Sequence, residues 1–244
     1  MPLLLLVAAA PAQARTDLPV GTNADYQLGG DAAVPADVGI VVRDRHSRPL
    51  AGHYDVCYVN GFQTQADEAS FWRKRPRLVL RQHDHPVVDS AWGEWLLDVR
   101  TKKKRLRLAR IVGAWTSGCA AKGFDAVEYD NLDSFTRSRG LIKESQALAF
   151  ARLLVARAHA AGLAAGQKNL AGYDGRKVGY DFAIAEECGR YRECAGYTKF
   201  YGRRVIAIEY RRQDFDWTCA HYGASLPVVL RDLDLSPGGV HDYC

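Results

Sequence analysis

The 244-residue chain has a mass of 27.0 kDa, enough for one sizeable buried core. Hydrophobic residues make up 48% and charged residues 25%, a balance that excludes a disordered, coiled-coil or collagen-like protein. The 33 Lys and Arg outnumber the 28 Asp and Glu, giving a formal charge of +5 that suggests a polyanionic partner until its distribution is read.

Met1 to Ala14, MPLLLLVAAAPAQA, is an apolar run too short to span a bilayer. It ends in Ala12-Gln13-Ala14, the small-residue pattern of a signal cleavage site. A leader over residues 1–14 is therefore expected, followed by a single domain over 15–244 that is secreted or periplasmic; a buried N-terminal strand is the competing reading. No later segment offers a membrane span. Short β-rich runs then recur: Tyr26–Leu28, Gly39–Arg43, Tyr54–Asn60, Trp95–Val99, Phe124–Asp130, Leu163–Lys168, Asp181–Glu186, Val205–Tyr210 and Leu226–Arg231. Between two of them, Ala147, Ala151, Leu154, Val155 and Ala158 form one apolar helical stripe that stops at Gly162. About eight such units over a chain of this length fit an α/β fold of the (β/α)8 TIM-barrel type better than a doubly wound sheet. No GxGxxG or GxxxxGK[ST] supports a nucleotide site.

The net charge is local. Lys102, Lys103, Lys104, Arg105, Arg107 and Arg110 fall in one acid-free block, and without it 27 bases face 28 acids. Leu106, Leu108, Ile111, Val112 and Trp115 share the segment, which reads as an amphipathic helix with a solvated basic face rather than a nucleic-acid site. Salt-sensitive nucleic-acid binding through this block is the weakest of three functional readings.

Six cysteines fit an oxidising compartment. Cys188 with Cys194 and Cys219 with Cys244 are the favoured local pairs, leaving Cys57 and Cys119. There is no CxxC, so neither a metal nor any other cofactor is expected. His159 belongs to the long helix, where a solvated or packed imidazole outweighs a catalytic one.

Chemistry concentrates where the strands end. Asn60, Asp98, Glu128, Asp130, Lys168, Asn169, Glu186, Glu209 and Tyr210 describe an acidic, hydrogen-bonding cup. In GFDAVEYDNLD, alternation sends Glu128 and Asp130 to one face and Val127 and Tyr129 to the other. Glycoside hydrolysis needs two carboxyls on opposite sides of a bond, ~5–5.5 Å apart for retention or ~6.5–9.5 Å for inversion. The partner of Asp130 therefore has to come from another strand, and Glu186 and Glu187 are placed to supply it. Tyr26, Tyr58, Trp95, Tyr129, Tyr191 and Tyr210 are candidate stacking surfaces for sugar rings.

Seven short motifs in order carry a family resemblance: YQL at Tyr26, CYV at Cys57, WLLDVR at Trp95, GFDAVEYDNLD at Gly123, GQKN at Gly166, AEECGRYREC at Ala185 and IEY at Ile208. From about residue 22 onward the chain resembles glycoside hydrolase family 114, the endo-α-1,4-polygalactosaminidases. The resemblance implies a secreted barrel that cleaves α-1,4-linked galactosamine polymers internally without a metal, the cationic polymer being its partner and neither nucleic acid nor membrane being one. A monomer is expected. The resemblance also implies that Asp130 and Glu186 are the catalytic pair; retaining chemistry would make Asp130 the nucleophile and Glu186 the general acid/base, an order the sequence leaves open. Tyr26, Tyr58, Asp98, Glu128, Asn131, Lys168, Asn169, Glu209 and Tyr210 would bind substrate. Two residues depart from the family pattern: Ala185 stands where Asn is usual, which would weaken the orientation of Glu186, and Tyr129 where Pro is common. The second functional reading, a non-catalytic polysaccharide-binding barrel, rests on Ala185.

Overall fold

The computed structural model describes residues 15–244, so the expected leader at 1–14 lies outside the described residues. Eight strands run parallel, each hydrogen-bonded to the next: β1 Asn23–Gln27, β2 Val38–Asp44, β3 Tyr54–Asn60, β4 Ala126–Asp130, β5 Ala164–Lys168, β6 Phe182–Glu186, β7 Val205–Glu209 and β8 Val228–Arg231. A short antiparallel strand, β9 His241–Tyr243, follows on the far edge of β8. This is a nearly closed (β/α)8-type barrel. Side chains bring its two edges together: His241 Nδ1 lies 3.0 Å and Arg231 Nη1 3.7 Å from the Asp25 carboxylate.

Strand alternation sorts the residues into two cores. Ile40, Val42, Val56, Phe182, Ile184 and Ile208 fill the barrel. Val59, Val127, Ala165, Ala183 and Ala207 face outward into the layer covered by helices. The helices are α1 Ala69–Arg73, α2 Lys102–Lys122, α3 Glu144–Ala160, α4 Ala195–Tyr201 and α5 Arg212–Tyr222. The expected stripe of α3 is buried throughout, and Gly162 takes φ 81° to turn the chain into β5. No helix follows β1 or β2. Their outer face is polar instead: Gln27 Nε2 donates to Asp25 at 2.6 Å, and Arg43 Nε donates to Gln27 at 2.9 Å, so the buried polar groups satisfy one another.

The segment Trp95–Val99 is not a barrel strand. Glu94–Trp95 pairs antiparallel with Val88–Asp89, and Leu96 and Leu97 form single bridges to Gln63 and Val79. Leu96, Leu97 and Val99 are all buried, which explains the strand-like pattern, but they belong to a long excursion between β3 and α2. The basic block forms the first turns of α2 as expected, although the buried side is Leu108, Ala109, Val112, Thr116 and Cys119, while Leu106 is exposed. Cations in a first helical turn oppose the helix dipole. The buried Asp98 carboxylate compensates, accepting hydrogen bonds from Arg100 Nε at 2.9 Å and Lys104 Nζ at 2.5 Å. These bonds outweigh burial and hold Asp98 below the usual aspartate range. Asp98 thus anchors a helix, and its expected place in the cup is corrected.

Disulfides join Cys57 to Cys119, Cys188 to Cys194 and Cys219 to Cys244, the favoured pairings. The first ties β3 to α2. Among the described residues no helix is long and apolar enough to cross a membrane.

Gly166 sits two residues before Lys168 on the inner side of β5, where an added Cβ would lie 2.7 Å from the fully buried Phe182 ring. Gly166→Ala is expected to cost about 1–3 kcal/mol, read from urea unfolding, because the ring has no free space into which to turn.

Candidate active site

The inward-facing ends of β1, β3, β4, β5 and β6, with Tyr210 just after β7, deliver one cluster. At its centre is the Lys168 ammonium, 1% exposed. Nζ lies 2.7 Å from Glu128 Oε1, 2.6 Å from the Tyr26 hydroxyl and 3.4 Å from Glu186 Oε1. Tyr26 in turn donates to Glu128 Oε1 at 2.8 Å. Burial would lower the Lys168 pKa, but the Glu128, Glu186 and Asp130 carboxylates reverse this and hold it above the ordinary lysine range. Lys168 is a permanent cation.

The two carboxylates proposed from sequence line one cavity of about 320 Å³. Asp130 accepts one hydrogen bond, from the Tyr58 hydroxyl to Oδ2 at 2.7 Å, while Oδ1 is buried without a partner. Burial, and then the Glu186 and Glu128 charges, raise the Asp130 carboxyl well above its usual range despite Lys168. Glu186 is held on all sides: Tyr210 donates to Oε1 at 2.6 Å and Asn169 Nδ2 to Oε2 at 3.2 Å. Burial works against its charge, but Lys168 and these two donors prevail and hold it below the ordinary glutamate range. The two acids are thus biased in opposite directions, Glu186 toward its charged form and Asp130 toward its neutral one. The Tyr26, Tyr58 and Tyr210 hydroxyls are raised well above their usual range, first by burial and then by the carboxylates, so all three remain donors.

Asn169 turns through φ 60°, a left-handed conformation that Asn tolerates, and its amide also donates to Asn131 Oδ1 at 2.8 Å. Tyr26, Tyr58, Asn131, Lys168 and Tyr210 line the cavity. Glu128 lies beneath it, fully buried. Glu209 is not in the cup: its Oε1 accepts from Gly189 N at 2.7 Å and Thr218 Oγ1 at 3.1 Å, so it holds the loop closed by Cys188–Cys194. Those two sulfurs approach Glu209 but are bonded to each other and offer no thiolate to a metal. Two expected stacking surfaces also fall elsewhere. Tyr129 points outward, its hydroxyl 2.8 Å from Thr116 Oγ1, and Trp95 packs against the outer core. Ala185 likewise sits in the outer core, on the opposite face of β6 from Glu186, so the missing Asn side chain removes no support from the carboxylate.

A second lobe of about 440 Å³ continues past Glu186 and includes Asn169, Glu187, Tyr191 and Glu193. Trp92, Glu186, Tyr210 and Leu233 line both lobes. Trp92 is 49%, Tyr191 59% and Leu233 58% exposed, so the cleft has an apolar rim. Trp92, Glu94 and Gln65 were not anticipated. They lie in the irregular excursion after β3, where no periodicity indicates which side chains face inward.

Replacing Lys168 by Met would leave Glu128 buried without a counter-charge. We expect a loss of roughly 3–5 kcal/mol at pH 8. The loss should shrink toward pH 5, because Glu128, already raised by burial, would rise further in the variant. A carboxyl whose folded pKa is raised loses its contribution as pH climbs through that value. Urea unfolding at the two pH values measures the difference.

No curated protein matches the chain significantly. Among solved structures, Ega3 of Aspergillus fumigatus, in complex with galactosamine, is 22% identical, with a TM-score of 0.75 over 95% of this chain and 98% of that one. The glycoside hydrolase domain of PelA from Pseudomonas aeruginosa is 15% identical, with a TM-score of 0.57 over 90% and 98%. A variant of the same domain gives 14% and 0.62 over the same shares. These likenesses concern the fold. The sequence itself matches the Glycoside-hydrolase family GH114 over residues 6–244, and the chain belongs to that family of glycoside hydrolases.

Proposed function

We propose that the protein is a secreted, monomeric endo-hydrolase of α-1,4-linked galactosamine polysaccharide, with Asp130 and Glu186 as its carboxylate pair. The observation that carries this reading is the pair itself. Two carboxyls from different strands line one cavity beside the buried Lys168 cation. The galactosamine bound to the structurally similar Ega3 and the acidic character of the cavity support the sugar. The three disulfides support an oxidising compartment. The second lobe and its apolar rim support internal cleavage, since a chain passing the pair would have contacts on both sides.

In the retaining sequence, the Asp130 carboxylate attacks the anomeric carbon while Glu186 protonates the departing glycosidic oxygen. Glu186 then takes a proton from water as the water displaces Asp130 from the sugar. Asp130 leans toward its neutral form and Glu186 toward its charged form, so this order requires a proton to reside on Glu186 once substrate is bound. A cationic sugar beside Asp130 would favour that arrangement by stabilising the aspartate anion. The directions of these shifts favour a second assignment of roles, with Glu186 as nucleophile and Asp130 as acid. Trapping with an activated fluorosugar and peptide mapping distinguishes the two by the residue that carries the adduct.

Asp130→Asn and Glu186→Gln should each lower cleavage of a galactosamine polymer by roughly 10²–10⁴-fold. Undiminished reducing-end release by both variants would reject the pair. Tyr191→Ala should lower kcat/KM for the long polymer about 3–10-fold, the value of one aromatic contact. The same variant should leave hydrolysis of an aryl glycoside with a single sugar unchanged.

A further inference from the structure

Glu94 has no part in the chemistry above, yet it lines the same lobe as Asp130 and Tyr58. It comes from the excursion after β3, and its carboxylate is fixed on one side only. Asn60 Nδ2 at 2.8 Å and Gln63 Nε2 at 2.9 Å both donate to Oε2. The orientation of these two amides is set elsewhere. Asn60 Oδ1 accepts from Gln63 N at 2.9 Å, and Gln63 Oε1 accepts from Ser134 Oγ at 2.9 Å, so each amide has its nitrogen left to offer Glu94. Among the described residues no hydrogen-bond donor reaches Oε1 and no cation pairs with Glu94. The lobe has one lining cation, Lys168, already engaged by Tyr26, Glu128 and Glu186. Burial, ahead of the Gln63 and Asn60 hydrogen bonds that oppose it, raises the Glu94 carboxyl above its usual range.

A carboxylate with one oxygen immobilised and the other free in a cavity is a preorganised receptor for a cation. We propose that Glu94 Oε1 receives the primary ammonium of a galactosamine unit bound in the Asp130 lobe, and so distinguishes deacetylated from N-acetylated sugar. This rests on the galactosamine reading above. N-acetylation removes the positive charge and brings a carbonyl oxygen next to the carboxylate, which repels it. Neutral galactose offers a hydroxyl in place of a cation and loses the charge-assisted bond.

The test is binding, which does not require turnover. Galactosamine, N-acetylgalactosamine and galactose are titrated by calorimetry into the wild-type protein and into Glu94→Gln, whose amide oxygen still accepts from Asn60 and Gln63. Wild type should prefer galactosamine. Glu94→Gln should bind it about 10-fold or more weakly, the value of one hydrogen bond to a charged group, while binding of N-acetylgalactosamine holds or improves. Glu94→Ala serves if the glutamine variant does not fold. Equal weakening toward all three sugars, or an unchanged preference for the amine, overturns the role of Glu94. A wild-type protein that does not prefer galactosamine overturns it together with the substrate reading, whereas binding as expected without polymer cleavage rejects the hydrolytic reading alone.

Discussion

One ammonium group sealed inside the barrel determines how every acid around it behaves. Transferring Lys168 from water into the barrel end would be prohibitive alone, and the Glu128 and Glu186 carboxylates and the Tyr26 hydroxyl around it compensate. The compensation runs both ways. Glu128 can be fully buried at the end of β4 because Lys168 lies 2.7 Å away, and Glu186 can stay ionised because it shares the same cation. Asp130 has no ion-pair partner among the described residues, and burial biases it toward its neutral form.

The tyrosines complete that arrangement. Each presents a hydroxyl that stays protonated and donates to one carboxylate, Tyr26 to Glu128, Tyr58 to Asp130 and Tyr210 to Glu186. A donor on a short planar side chain fixes the acid at low entropic cost, and the ring forms an apolar wall at the same time. The positive net charge of the chain has no bearing on this region. It resides on the outer side of α2, where Asp98 offsets part of it.

Most of the barrel and the core of the site could be read from the sequence, because both follow strand alternation. Glu128 and Asp130 were placed on one face by period-2 reasoning, and the same rule turns Tyr129 and Ala185 outward, which accounts for their freedom to depart from the family pattern. Asp98 and Glu209 were misplaced for related reasons. Asp98 ends an apolar run that is buried against the excursion rather than in the barrel, and Glu209 is one residue short of the inward position that Tyr210 takes. Glu94 and Trp92 were invisible because this excursion has no usable period: the orientation of Glu94 depends on hydrogen bonds from Asn60 and Gln63, about thirty residues earlier in the chain.

The excursion between β3 and α2 is tied together at its base. Leu97 N donates to Phe62 O at 2.9 Å, Thr64 N to Trp95 O at 2.9 Å, and Asp98 secures the helix that follows. Entry and exit therefore lie side by side, and the cleft wall between them hangs from a closed neck. Such a segment is closed on itself, so side chains at its tip such as Trp92 and Glu94 can change without disturbing the strands that carry Asp130 and Glu186.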